Sequence, residues 1–448
     1  MKKLKNLNIK KLLVTFILLQ PILDVLTSLC LEYISQYLTL GIIIRTFFLG
    51  FIIIYSLIKT DKKYRIKSFI YYALTGIYMC VFLFVCYKHN GAHMILAQIK
   101  GLIRAFYFPL ILVALYGLFK DNKLKIDNKY FLWTLAEYCL IIFIAKIAGI
   151  AYPTYKYGLN LGTCGLFYSA NETGAILSIL SPILFIELLR DKKINFINIG
   201  ILVLFIFSIL ELGTKVPFIA FLTLSVLFLL VCILKLFEQE DTKNYIIKIA
   251  STICIGIFIL FTISYTPIGK NLEANYSINF IKIGNKSSLG PPIPSISKEP
   301  EDIEIEVTDI VSGRDVCFQK NLERYLNSSL NEKVFGNGYL SLKNGELQVN
   351  KLVEIDYFDI FFCHGPVGAL LAFIPLLYIL VLLIIKTIKS FFNVLSNEFS
   401  LFCWYTIGIS LGIALLAGHT LTAPAVSIYI IFVLLSLYDF LQDLEVKN

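Results

Sequence analysis

Charge is scarce in this sequence. Only 16% of its 448 residues are Asp, Glu, Lys or Arg. The basic residues come in short clusters between apolar runs, which argues against a nucleic-acid surface despite a net charge of +9. Nucleotide and hydrolase signatures are missing as well. No Walker loop, GxSxG, HExxH or DxD-type metal pair occurs, which argues against an ATP-driven pump and a nucleotide-sugar enzyme. Ten cysteines are present, but none in CxxC spacing. Most of them, such as Cys86, Cys139, Cys232 and Cys403, sit inside apolar runs and read as small core residues. No metal and no cofactor is therefore expected. The first apolar run lacks an A-x-A-type cleavage site and reads as a retained helix. No repeat of solenoid period is visible.

What is abundant is apolar sequence. Hydrophobic residues make up 57% of the chain, and mean hydropathy is +0.76. Soluble domains do not need that much, so the fold class is an all-α polytopic membrane protein. Apolar runs fall near 12–30, 39–58, 67–87, 98–119, 131–150, 173–189, 195–211, 216–237, 246–264, 358–385, 398–417 and 424–441. These predict about twelve transmembrane helices of roughly 20 residues each. Loops at 59–67, 120–129, 190–193, 235–248 and 386–389 are rich in Lys and Arg, as is the start of the chain. The intervening loops have almost none: 31–38 lacks both, 88–97 has Lys88 and 151–172 has Lys156. This alternation predicts cytoplasmic N- and C-termini. It divides the chain into helices over 1–264, one long extracytoplasmic loop over 265–357, and helices over 358–448.

Within the loop, 287–306 is Pro-rich and acidic and reads as a flexible or extended cover. Val311–Asp359 carries the organised part. Ser312 with Asp315 resembles a capping box opening a short helix. Phe318, Leu322, Tyr325, Leu326 and Leu330 form an apolar stripe at helical spacing. Phe335-Gly336-Asn337-Gly338-Tyr339 reads as a turn.

Ionisable groups inside apolar runs are functional candidates. Asp24, Arg45, Lys100, Arg104, Lys146, Glu172, Glu211 and Lys215 all fall in the outer third of their runs. Snorkelling and pairing at helix ends, such as Glu211 with Lys215, account for part of this. A polar cavity open to the outer leaflet accounts for its one-sidedness, and its basic excess suits an anion. Arg314 in a first helical turn opposes the helix dipole, which makes sense if a phosphate also binds there; the alternative is a surface pair with Glu323 or Asp315. Glu354, Asp356 and Asp359 surround the start of the next helix. They either complement its dipole or supply a general base, with Glu354 or Asp356 taking a hydroxyl proton. His364 and His419 could titrate, though a lone histidine is more often structural. Asn171 is a polar ligand candidate at a helix start.

Seven segments in this order resemble the O-antigen ligase and O-antigen polymerase superfamily of bacterial membrane glycosyltransferases. They are Gln20-Pro21-Ile22-Leu23-Asp24, Asn171-Glu172-Thr173-Gly174, Leu212-Gly213-Thr214-Lys215, Ser312-Gly313-Arg314, Phe335-Gly336-Asn337-Gly338-Tyr339, Glu354-Ile355-Asp356-Tyr357-Phe358-Asp359 and Ala417-Gly418-His419. The resemblance implies metal-independent transfer of a glycan from an undecaprenyl-pyrophosphate donor to an acceptor glycan, in the bacterial cell membrane with the active site outside. It implies that Lys215 and Arg314 hold the pyrophosphate; the charge pattern adds Arg104 and Arg45 as helpers, with Asn171, Glu172 and His419 expected at the substrate site. Ligases of this superfamily carry a histidine just before the helix after the loop. Glu354 and Asp356 stand there instead, which favours a polymerase. The rival expectation is a lipid-linked oligosaccharide flippase, which calls for a midplane site and paired half-repeats.

Overall fold

The computed structural model describes residues 8–34, 39–91, 95–122, 124–155, 161–238, 241–276, 314–343 and 346–447. The chain is an all-α polytopic membrane protein, with ten helices long and apolar enough to cross a bilayer among the described residues. An eleventh crossing comes from two helices, α1 (Ile9–Leu18) and α2 (Gln20–Tyr33), bent by 49° at Leu19. The bend has a cause in the sequence: Pro21 has no N–H to continue the ladder. The spans that follow are α3 (Leu40–Lys59), α4 (Lys62–Asn90), α5 (Ile95–Asn122), α6 (Asn128–Ile147) and α7 (Ala170–Arg190). Next come the shorter α8 (Phe196–Leu212), then α9 (Lys215–Phe237) and α10 (Thr242–Thr262). Every apolar run thus became a helix. The side chains of Thr39 and Asp61 cap α3 and α4 by accepting the Ile42 and Tyr64 amides, and Ser169 caps α7 by accepting that of Glu172.

Helix α11 (Pro267–Tyr276) leads out of the first block, two residues beyond a 3₁₀ turn at Ile263–Tyr265. Within the long loop come α12 (Arg314–Asn327), α13 (Leu330–Phe335) and a hairpin of β1 (Leu340–Lys343) with β2 (Glu346–Val349), in antiparallel register Leu340 to Val349. The remaining helices are α14 (Asp356–Lys389), α15 (Phe391–Leu395), α16 (Glu398–Leu416) and α17 (Pro424–Lys447). Helices α5, α7 and α17 form the centre of the bundle, with 83% of each span buried, against 11% for the peripheral α10. Ser312 and the Pro-rich stretch 287–306 lie outside the described residues.

The predicted stripe on the loop helix divides. Phe318 packs on Phe358 and Phe362, with ring centres 4.7 and 5.6 Å apart, and Tyr325 packs on Phe361 at 5.3 Å. Leu322, Leu326 and Leu330 are exposed, and Leu330 belongs to a new helix. The chain restarts there because Ser329 and Glu332 form a full capping box.

The Gly336-Asn337-Gly338 turn is inserted into a break in α14. Gly365 leaves helical geometry there with φ +63°, and Pro366 has no N–H for the Phe362 carbonyl. The turn supplies the missing donors: Asn337 N–H reaches Phe362 O at 3.3 Å and Gly338 N–H reaches Cys363 O at 3.0 Å. A Cβ at Gly336 would stand 2.1 Å from Cys363 O. Glycine is therefore required by both close approach and a φ of +100°. Tyr339 then reaches across to α5, donating from its backbone to Gln98 Oε1 at 2.9 Å.

Candidate functional site

At one end of the bundle lies a cavity of about 450 Å³ between α2, α3, α5, α7 and the loop before α17. Asp24, Arg45, Lys100, Arg104, Glu172 and His419 all line it. Lys100 and Arg104 are four residues apart on α5 and so share a face. Arg104 also reaches the Thr422 carbonyl, at 3.4 Å. Glu172 sits in the first turn of α7, where a carboxylate complements the helix dipole.

Arg45 does not serve as a ligand in waiting. It is 5% exposed, its Nη2 meets Asp24 Oδ1 at 2.5 Å, and its Nε and Nη2 both donate to Gln20 Oε1. The other oxygen of Asp24 takes the Tyr138 hydroxyl. The guanidinium thus offsets a carboxylate buried in the wall, as burial of either charge alone requires. With that pair closed, Lys100 and Arg104 remain as the cations of the lining, opposite Glu172.

The loop holding His419 is clamped from α14. Asp356 is 1% exposed. Its Oδ1 accepts from His419 N–H at 2.9 Å and Thr422 Oγ1 at 2.6 Å; its Oδ2 accepts from Thr420 and Leu421 N–H at 2.8 and 2.7 Å. This overturns the assignment of Asp356 as a general base, because four donors occupy its lone pairs and no solvent or substrate reaches it. Its role is to hold residues 419–422. Gly418 and His419 adopt positive φ, +66° and +60°. The strained backbone at His419 is paid for by the Asp356 bonds.

Arg314 and Glu354 complete the clamp. Arg314 Nε donates to the Glu354 carbonyl at 3.1 Å and Nη2 to the Ala417 carbonyl at 3.4 Å, with the Glu354 carboxylate at 3.5 Å. Glu354 has φ +64°, and its N–H, with that of Val353, binds the Asp359 carboxylate. Asp359 is therefore a cap for the 353–354 backbone. The Glu354 side chain keeps 46% of its surface exposed. Arg314 thus ties the head of α12 to the segments on either side of His419, and pairs with Glu354 rather than Glu323 or Asp315.

Other expected residues lie elsewhere. Lys215 opens α9, and Asn171 is exposed on α7; neither lines the cavity. Glu211 pairs with Lys146 at 2.5 Å and accepts Thr163 Oγ1 at 3.0 Å. The Gly213-Thr214-Lys215 turn is sewn down by Asn271 of α11, which binds the Leu161 backbone on both sides and the Gly213 carbonyl. His364 is fully buried, with Nε2 2.8 Å from the Tyr339 hydroxyl and Nδ1 3.3 Å from that of Tyr78. Tyr339 also donates to Gly101 O at 3.2 Å, and desolvation pushes its phenol well above the ordinary value. His364 is a structural tie between α4, α5, α14 and the inserted turn. Lys100 and Asp24 are visible among the ionisable residues of apolar runs, and the four-residue spacing sets Lys100 beside Arg104, but nothing in the sequence pairs Asp24 with Arg45. Among the described residues, no cluster of three or more His, Cys, Asp or Glu side chains could hold a metal ion.

A protein-family profile described as "O-antigen ligase like membrane protein" matches residues 6–443. The chain belongs to this family. Membership brings a membrane glycosyltransferase-type role in polysaccharide assembly, with lipid-linked glycans as the substrate class. No curated protein and no solved structure matches the chain. In this O-antigen ligase-like protein, three of the segments that carry the resemblance supply residues to the polar cavity, and the long loop supplies the clamp that holds His419 against it.

Proposed function

We propose that this family member is a polysaccharide polymerase that transfers a glycan from undecaprenyl pyrophosphate to the hydroxyl of an acceptor glycan at the extracytoplasmic face of the bacterial cell membrane. One observation carries the reading: Lys100, Arg104, Glu172 and His419 converge in one cavity at a single end of the bundle. Lys100 and Arg104 bind the pyrophosphate and offset the charge that grows on it as it leaves. The acceptor oxygen forms its bond to the anomeric carbon as the bond to the pyrophosphate oxygen breaks. The imidazole of His419 takes the hydroxyl proton. Arg314, Glu354 and Asp356 act as positioning residues for that imidazole. The alternation of basic loops supports the outward orientation. The absence of the ligase-type histidine before α14 supports polymer growth over ligation.

The test is the surface polysaccharide of a strain carrying Arg104→Gln. Single repeat units on the lipid carrier, with no long polymer, are expected. Long polymer retained on the lipid indicates a ligase. Normal polymer from a well-expressed variant refutes the assignment. Purified protein that moves lipid-linked glycan between leaflets without extending it establishes the flippase instead.

A further inference from the structure

A second cavity, of about 370 Å³, opens between α4, α5 and α14. It lies at the opposite end of the bundle from the first. Helix α5 shows this directly: Lys100 lines one cavity and Lys120 the other. At about 1.5 Å of rise per residue they are about 30 Å apart, the thickness of the hydrocarbon layer.

The lining of this second cavity is two-part. Its mouth carries Lys63, Lys67 and Lys120, against the single carboxylate of Asp61. Lys63 and Lys67 share a face of α4, one turn apart. Below them, Tyr116, Tyr378, Leu112 and Ile374 give an aromatic and aliphatic floor. The walls are tied together in advance. Tyr64 of α4 donates to the Val113 carbonyl of α5 at 2.5 Å. Tyr71 donates at 2.9 Å to the Leu371 carbonyl of α14, the group that Pro375 leaves without a helical donor. The crevice is therefore pre-formed, with its cations at the rim. On the membrane side, α4 exposes Ile70 and Leu74, and α14 exposes Leu377 and Tyr378.

We infer that this crevice binds an anionic glycerophospholipid of the leaflet opposite the glycan cavity. The phosphate headgroup meets the three ammonium groups, and the first acyl carbons lie on the tyrosine floor. Charge complementarity selects an anionic over a zwitterionic headgroup, since basic clusters beside spans attract such lipids. The opening onto exposed apolar helix flanks selects a lipid over a soluble anion. Nothing in the glycan-transfer reading requires this site, and it stands or falls separately.

The test is native mass spectrometry of the full chain in detergent, titrated with phosphatidylglycerol, phosphatidylcholine or inorganic phosphate. Retention of phosphatidylglycerol alone is expected. Each of Lys63→Gln, Lys67→Gln and Lys120→Gln should weaken it about fivefold, and the triple variant about a hundredfold. Lys100→Gln, at the other end of the bundle, should leave it unchanged. Equal retention of phosphatidylcholine, equal binding of inorganic phosphate, or full retention by the triple variant overturns the inference. So does a loss confined to Lys100→Gln. If the triple variant does not fold, Lys120→Gln alone decides, because that exposed side chain lies in the last turn of α5.

Discussion

The Asp356 clamp makes a prediction that separates positioning from chemistry. Asp356→Asn keeps the size of the side chain and removes its charge and one acceptor. The amide will turn its nitrogen toward the Oδ1 position, because the hydroxyl of Thr422 can rotate and accept from it. His419 N–H, now 2.9 Å from an acceptor, is then left facing a donor. A buried donor without a partner costs about 1–3 kcal/mol. The two bonds kept by Thr420 and Leu421 also lose their charge-assisted part, since such bonds are roughly twice as strong as neutral ones. Together these give about 2–4 kcal/mol, concentrated on residues 418–422.

The bundle does not depend on this loop, because the buried stacks of α5, α7 and α17 lie below it. Asp356→Asn should therefore express and insert normally. Its local opening should become easier. At about 1.4 kcal/mol per tenfold, the amides of His419, Thr420 and Leu421 should exchange about 30- to 1,000-fold faster with deuterium, with central-helix amides unchanged. Polymer formation should fall with it, because a displaced imidazole cannot meet the acceptor. Unchanged exchange at 419–421 refutes the clamp. Fast exchange with full polymer formation keeps the clamp and refutes a role for His419.

Other substitutions probe the inserted turn and the ion pairs. Gly336→Ala forces a Cβ to 2.1 Å from Cys363 O at a φ of +100°, so it should expel the turn from the α14 break. A lower unfolding temperature in a dye-based melt checks this, and a wild-type melt contradicts it. Tyr339→Phe leaves His364 Nε2 buried without its 2.8 Å partner, at a cost of about 1–3 kcal/mol; chemical denaturation in detergent measures it. Lys146→Ala should destabilise at least as much as Glu211→Ala. It strands a carboxylate that is only 11% exposed, whereas Glu211→Ala leaves a lysine that is 44% exposed and returns to water, at the loss of the Thr163 bond. A larger loss in Glu211→Ala would refute this order.

The helix plan was legible because the hydrocarbon sets a length that every span must meet, and each apolar run met it except α8, whose 17 residues leave ten spans and one bent pair among the described residues where about twelve were expected. What the runs could not show were the interruptions. The bend at Leu19 and the break at Gly365-Pro366 lie inside runs read as continuous spans, and the second acquires meaning only because a turn some 28 residues earlier supplies its donors. The site divided the same way. That charges in apolar sequence gather at one end was legible, because a lone charge there is too costly to keep without purpose. Which charges neutralise each other was not. Arg45 finds Asp24 21 residues away, Lys146 finds Glu211 65 away, and Asp356 finds its loop 63 to 66 away. A carboxylate at a helix start looks the same in sequence whether it serves the dipole, a substrate or a neighbouring loop. The deciding feature was a row of backbone N–H groups in a strained turn, and backbone donors leave no mark on composition. The run Gly418-His419-Thr420 offered a partial clue, since glycine before a polar residue permits the left-handed turn that aims three amides at one carboxylate. On the proposed function, reading Asp356 as the partner of that turn, instead of as a base, moves the chemistry from the helix to the loop and makes His419 the group whose placement the clamp serves.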